Sequence, residues 1–167
     1  MKNNLITTRL LLRPLCLDDV SFIFELVNTP NWIKFIGDRN VHSDADATQY
    51  IEKIFANPDA HYKIVYLKET AQPIGVITLI KRHYLDHHDI GFAFLPNYAK
   101  KGYAFEAAKT VLAAIIAEKT HTQILATTLK DNVNSIRLLK KLGLTYQKDI
   151  LVGDDKLMIF AILLVSQ

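Results

Sequence analysis

Two hydrophobic periods alternate along this chain, and each change of period marks an element. Thr8 to Cys16 (TRLLLRPLC within TTRLLLRPLC) is an apolar run flanked by Arg9 and Arg13 and predicts a first strand. Asp18 then offers an N-cap to a helix in which Val20, Ile23, Phe24 and Val27 share one face. Asn28-Thr29-Pro30-Asn31 breaks that helix, and Trp32 to Arg39 is too short for a period of its own, reading as one helical turn and a loop. Ser43 or Asp44 caps a second helix with Ala47, Tyr50, Ile51, Ile54 and Phe55 in register, closed by Asn57-Pro58. The period then becomes two. His61 to Leu67 alternates, Lys68 to Pro73 is turn-like, and Ile74 to Ile80 is a second apolar run, so the pair predicts a hairpin.

The stretch from Asp89 to Ala117 organises the rest. Ile90 to Leu95 predicts a strand that Pro96 ends, since proline supplies no backbone N–H. A loop carrying Lys100, Lys101 and Gly102 opens directly into a helix, whose Ala104, Ala108, Val111, Leu112 and Ile115 form one buried stripe. Strand, basic turn and helix N-terminus together make an anion site, because unpaired N–H groups and the positive end of the helix dipole converge there. Ile124 to Leu129 predicts a further strand. Asp131-Asn132 opens a last helix with Ser135, Leu138, Leu139 and Leu142 in register and Gly143 as a left-handed C-cap. Thr145 to Val152 and Leu157 to Val165, joined through Gly153-Asp154-Asp155, predict a closing hairpin.

The order β-α-α-β-β-β-α-β-α-β-β requires antiparallel middle strands and a parallel crossover from Ile90 to Leu129. The expected fold is therefore α/β (α+β): a mixed, mostly antiparallel sheet of about seven strands with helices on both faces. It is not a doubly wound dinucleotide fold, which needs regular βαβ alternation. The 167 residues read as a single domain, 1–167, with 50% hydrophobic and 22% charged positions, a globular composition. A net charge of +3 is too slight and dispersed to argue for nucleic acid, and no apolar run approaches the ~20 residues of a membrane helix. MKNNLITTRLLLRP has no small-residue cleavage site and is not read as a signal peptide. Cys16 is alone, which excludes a disulfide framework and a thiolate metal cluster; the expected setting is cytoplasmic.

This order, with an anion turn after the fourth strand, resembles the GNAT superfamily of acyl-CoA-dependent N-acetyltransferases, and in detail its ribosomal-protein-alanine acetyltransferase branch. Three segments carry the resemblance: TTRLLLRPLCLDD at the start, DIGFAFLPNYAKKGYAFEA in the centre and LKDNVNSIRLLKKLGL near the end. There are departures. The superfamily loop Gln/Arg-x-x-Gly-x-Gly/Ala falls on Asn97, Lys100 and Gly102, so lysine replaces its first glycine, where a Cβ penalises positive φ. The terminal Phe of the late motif is Leu144, and the tyrosine that many members use as an acid is Leu139.

The resemblance implies acetyl transfer from acetyl-CoA, as co-substrate and without metal, to a primary amine on a small molecule or a protein N-terminus. It implies a ternary complex, no covalent enzyme intermediate, and no nucleic-acid or membrane partner; a monomer or homodimer is expected. It places the pantetheine arm along Phe92, Phe94 and Leu95, and the pyrophosphate on Lys100, Lys101, Gly102, Tyr103 and Ala104. Asn132 is either a cofactor ligand or a plain N-cap. Ser135 either supports the departing thiolate or lies on a helix surface. Asp89 is either a base for the incoming amine or a charge at a strand entrance. Trp32 and Arg39 either wall the acceptor site or are a core tryptophan and a surface arginine. Arg137, Lys140 and Lys141 are phosphate contacts or a solvated face, and Glu106 compensates the helix dipole.

Two other classes of site compete with this one. His83, His87 and His88 share one turn, but His-x-x-x-His is helical ligand spacing and here falls in a connection between strands. A P-loop is excluded, because no Gly-x-x-x-x-Gly-Lys-Ser/Thr occurs. The alternative to an enzyme is a module of the same fold that binds CoA or another anion without transferring an acetyl group.

Overall fold

The two periods of the sequence become two kinds of packing surface. A computed structural model describes residues 3–164 of the chain; Val165, the last residue of the expected closing strand, lies outside them. The strands are β1 (Leu5–Ile6), β2 (Leu10–Pro14), β3 (Ala60–Leu67), β4 (Pro73–Ile80), β5 (Asp89–Phe94), β6 (Gln123–Leu129), β7 (Thr145–Val152) and β8 (Asp155–Leu163). The helices are α1 (Val20–Val27), α2 (Pro30–Phe35), α3 (Asp44–Ala56), α4 (Tyr103–Glu118) and α5 (Val133–Lys141). The strands form one eight-stranded sheet in the order β1-β2-β3-β4-β5-β6-β8-β7. Every neighbouring pair is antiparallel except β5 and β6, which the α4 crossover makes parallel.

Side chains alternate across the sheet and so separate two cores. Leu12, Val65, Ile77, Ile90, Ala126 and Phe160 point to the face covered by α4 and α5. Ile64 and Val76 point to the face covered by α1, α2 and α3. On that second face Leu125, Ile159 and Ala161 meet Leu85, from the connection between β4 and β5. Helices on both faces and a mostly antiparallel sheet match the expectation. One strand was not expected: β1 is only two residues long and is recruited by pairing with β2 rather than by a pattern of its own.

Local departures have identifiable causes. The Asp19 carboxylate accepts the Cys16 backbone N–H at 2.9 Å and both terminal nitrogens of Arg13. The chain therefore makes a 3₁₀ turn over Leu17–Asp19, and the N-cap of α1 is Asp19, one residue beyond the expected cap at Asp18. Pro30 does end α1, but it also begins α2 at N1, where its missing N–H has no intrahelical role; the Thr29 hydroxyl accepts from Trp32 N–H to complete the cap. Of the two candidate caps for α3, the Ser43 hydroxyl does the work, accepting from the Asp46 N–H. Gly143, at φ 92°, closes α5 in a Schellman motif: Leu144 N–H donates to Leu139 C=O and Gly143 N–H to Lys140 C=O.

The element that positions the site is α4. Its buried stripe is Ala107, Ala108, Val111, Leu112 and Ile115. Ala107 takes the place expected of Ala104, which is half-buried. Each fully buried Leu- or Ile-sized side chain stabilises by about 1.5–3 kcal/mol, so packing rather than intrinsic propensity holds the helix in place. Its first turn is also tied to the other end of the chain. The Glu106 carboxylate accepts from the Thr7 hydroxyl at 2.5 Å, the Arg9 backbone N–H at 3.0 Å and Arg9 Nε at 2.7 Å.

Burial alone would raise the Glu106 carboxyl, but those hydrogen bonds outweigh it and hold the group below the ordinary glutamate value. A lowered native pKa gives stability that is complete above the unfolded pKa of about 4.3 and is lost as pH falls through the native one. Glu106→Gln is therefore expected to cost about 1 kcal/mol at pH 7 after solvent screening, or about 2–4 °C in Tm. In thermal melts the difference from wild type should shrink as the pH is taken below about 4. A difference that stays constant down to pH 3 would show that the charge of Glu106 is not what anchors the turn.

Candidate active site

The parallel pair at the centre of the sheet is incomplete. β5 pairs with β4 along its whole length, yet with β6 it shares a single register pair, Asp89 with Leu125. Beyond that rung the two strands part. Leu125 N–H donates to His88 C=O across the junction, while Leu95 N–H donates to Ile74 C=O on the β4 side. Backbone groups alternate sides along a strand, so those of Phe92 and Phe94, beyond the rung, face the opening. A cleft of about 930 Å³ occupies it, lined by both strands and by α2, α4 and α5.

At one end of the cleft stands the N-terminus of α4. Gly102 is its N-cap residue at φ 82°, and no side chain caps it, so the N–H groups of the first turn are not closed off by the chain. A Cβ on Gly102 would lie 3.3 Å from Arg9 Nη2, in a conformation that also strains an L residue. Lys100 is left-handed at φ 59°. The lysine thus takes the conformation a glycine would supply, at a cost of about 1–2 kcal/mol, and the turn keeps its shape. Arg9 donates to Lys101 C=O at 3.0 Å and covers the Tyr103 ring at 4.4 Å, bringing a cation to the turn from the start of β2. Lys141 reaches over Phe105 at 4.2 Å and joins the lining.

Opposite α4, the start of α5 forms the second wall. Asn132 Oδ1 accepts the Ser135 N–H at 3.2 Å, so the N-cap reading of Asn132 holds, and both residues line the cleft. Leu139, in the place of the family tyrosine, is buried at 1% exposure. Arg137 and Lys140 are exposed and do not line the cleft.

The other end of the cleft lies on the α1–α3 side of the sheet. Asp89 is 2% exposed. Its Oδ2 accepts from Thr127 Oγ1 at 2.7 Å and from Thr127 N–H at 3.2 Å, with Arg82 Nε at 3.5 Å. Burial pushes the Asp89 carboxyl up, and Arg82 and Thr127 oppose that rise without cancelling it. A Cβ on Gly91 would stand 2.6 Å from Thr78 Oγ1 and 4.0 Å from Asp89 Oδ1, so the glycine keeps room beside that oxygen. Tyr62, Tyr84, Trp32 and Arg39 complete this end. Burial raises the Tyr62 hydroxyl well above its ordinary value, so it is a neutral hydrogen-bonding group at physiological pH.

The structure brings Asp89, Phe92, Phe94, Lys100, Gly102, Tyr103, Ala104, Asn132, Ser135, Trp32 and Arg39 to one cleft. Leu95 and Lys101 are not part of its lining. Leu95 is buried and spends its N–H on Ile74 and its C=O on Tyr98 N–H; Lys101 turns over the Tyr98 ring, 5.6 Å from its centroid. Trp32 is both core, at 5% exposure, and cleft wall, and Arg39 is exposed at the cleft. Arg82, Thr78 and Thr127 carried no motif in the sequence; only the parity of Thr78 with Val76 along β4 and the buried charge of Asp89, which needs a partner, pointed towards them. Cys16 accepts from Arg13 and does not line the cleft. His88 packs edge-on against His121 and His83 against Tyr84. Among the described residues no group of three His, Cys, Asp or Glu is arranged to hold a metal, and no helix is long and apolar enough to cross a membrane.

Comparison with known proteins agrees with this geometry. The model of the acetyltransferase (GNAT) domain matches residues 9–145. YnaD of Bacillus subtilis (strain 168), described as an uncharacterized N-acetyltransferase, is 31% identical over 138 residues, which span 83% of this chain and 80% of the relative. The crystal structure of a GNAT-family acetyltransferase from Bacillus anthracis superposes with a TM-score of 0.82 at 25% identity, over 97% of this chain and 99% of that one. The fold is shared as well by a spermidine N-acetyltransferase from Vibrio cholerae, solved in complex with CoA and spermine, with a TM-score of 0.79 at 18% identity over 94% and 96% of the two chains. The chain belongs to the GNAT family of acetyltransferases.

Proposed function

We propose that this protein transfers an acetyl group from acetyl-CoA to a primary amine in a ternary complex. The observation that carries the reading is the single rung between β5 and β6, with the uncapped N-terminus of α4 at one end of the resulting cleft. The residues fit the group. Phe92 and Phe94 offer strand-edge hydrogen bonds to the amides of a pantetheine arm. The N–H groups of Gly102 to Ala104, with Lys100 beside them, suit a pyrophosphate. Bound there, acetyl-CoA supplies the activated thioester.

The remaining chemistry belongs to the chain. A backbone N–H at Phe92 would donate to the thioester carbonyl oxygen as it gains charge. Asp89 Oδ2 is held by Thr127 and Arg82, which leaves Oδ1, on the Gly91 side, to take a proton from the incoming ammonium through water. The Ser135 hydroxyl, in the lining of the cleft, would stabilise the departing thiolate by hydrogen bonding; its pKa is far too high for it to act as an acid. Cys16 stands apart, which argues against a covalent acetyl-cysteine route.

Calorimetric titration with acetyl-CoA tests the cofactor half of this reading. Wild type should bind, and Gly102→Glu should not, because it puts a carboxylate and a strained φ where the phosphates belong. Lys100→Gly and Lys100→Ala separate backbone from charge. Both should weaken binding a few-fold, as expected for one exposed charge contact, but the glycine variant should be more stable than the alanine variant by about 1 kcal/mol. Failure of wild type to bind acetyl-CoA would sink the reading. Binding without CoA-thiol release for any amine would favour a module that binds the cofactor and transfers nothing.

Asp89→Asn tests the base. kcat should fall by about 10²–10⁴-fold, with KM for acetyl-CoA little changed. In wild type kcat/KM should rise with pH as Asp89 loses its proton, over a range above the ordinary carboxylate value because burial raises that group. The asparagine variant should lack that rise. An unchanged pH profile in the variant would assign Asp89 a purely structural role.

A further inference from the structure

The acetyl-transfer reading leaves the acceptor open, and any choice of acceptor rests on that reading. Polar groups at the acceptor end of the cleft are out of balance, with donors in excess. Two buried side-chain nitrogens lack a hydrogen-bond acceptor among the described residues, Trp32 Nε1 and Arg82 Nε, and both residues line this cleft. Arg82 Nε has Asp89 Oδ2 beside it at 3.5 Å, so Trp32 Nε1 is the donor left without any acceptor among the described residues. The charges lean the same way. Lys34 is matched by Asp131 at 3.7 Å and Arg82 by Asp89, whereas among the described residues no carboxylate lies within ion-pair distance of Arg39. Among the described residues its guanidinium donates only to Ile36 C=O, at 3.3 Å. Asp155, the other carboxylate of the lining, belongs to the start of β8.

A polyamine would bring more donors and more positive charge to this wall, and like charges there are repulsive. A carboxylate brings acceptors alone, and its two oxygens match the planar fork of an arginine. We propose that the acceptor is a small amine that also bears a carboxylate, an amino acid or close analogue, with its carboxylate on Arg39 and its amine towards Asp89. The ammonium loses a proton to Asp89, the nitrogen lone pair attacks the thioester carbon, and the C–S bond breaks. The nitrogen's second proton passes to the departing thiolate and Asp89 returns the first to solvent, so the products are an N-acetyl amino acid, CoA thiol and one released proton.

Thiol release from acetyl-CoA, measured across a matched panel, tests this. The panel holds free amino acids, their carboxamides, spermidine and a peptide with uncharged N-terminal residues. The acids should exceed their carboxamides by about tenfold or more in kcat/KM, as expected for a charge-assisted pair. Arg39→Gln should raise KM for the acid about tenfold and close the gap between acid and amide, and Arg39→Lys should restore part of it. Because Arg39 is exposed, the melting temperature of both variants should match wild type. Preference for spermidine, the peptide or the carboxamides would overturn the assignment while leaving acetyl transfer intact. So would an Arg39→Gln variant that slows acid and amide equally. Thiol release with no amine in the panel, from a protein that binds acetyl-CoA, would remove both readings.

Discussion

A parallel strand pair held by one rung is the constraint on which this structure depends. Backbone N–H and C=O groups inside a protein are seldom left unpaired, and a sheet normally satisfies them by running its ladder to the end. Here β5 and β6 share only Asp89 and Leu125 before they part. The groups of Phe92 and Phe94 therefore face the cleft instead of a neighbouring strand. The opening survives because each strand is secured on its far side, β5 by β4 along its whole length and β6 by β8 from Gln123 to Leu129.

An opening alone would not choose a ligand. Its selectivity comes from what stands at its two ends. Glu106 locks the first turn of α4 to Thr7 and Arg9, so the uncapped N–H groups stay at the end of the cleft, with Arg9 and Lys100 beside them. At the other end a single buried carboxylate is held rigidly by Thr127 and Arg82. In the proposed reaction one end takes the cofactor's phosphates and the other the amine, and the strand edge between them sets their separation.

Most of the architecture was legible because it rests on local periodicity. The hairpin from His61 to Ile80, the crossover helix and the Gly143 cap all follow from short-range rules that tertiary packing did not overrule. The turn that opens α4 was legible for the same reason, since strand, basic turn and helix are contiguous in sequence. The other end of the cleft was legible only in part: Asp89, Trp32 and Arg39 were named from the sequence, but Tyr62, Thr78, Arg82 and Thr127 lie on different elements and follow no spacing. Leu95 was misplaced for a subtler reason. It is contiguous with Phe92 and Phe94, but the alternation of the pleat turns its N–H to β4 instead of to the opening. Pro30 misled in the opposite direction, because a residue that ends one helix is also a favoured start for the next.

The single rung also bears on how long the fold persists. Strands β1 to β5 and strands β6, β8 and β7 are nearly two sheets, joined across the middle by one pair of residues and by the helices that span them. A ligand that hydrogen-bonds to both sides of the gap is, while it stays, a strand of the protein. Such a ligand binds the native state and not the unfolded chain, so it adds RT ln(1 + [L]/Kd) to the free energy of unfolding. If that ligand is acetyl-CoA, as proposed, the persistence of the folded protein tracks the metabolic supply of its own co-substrate.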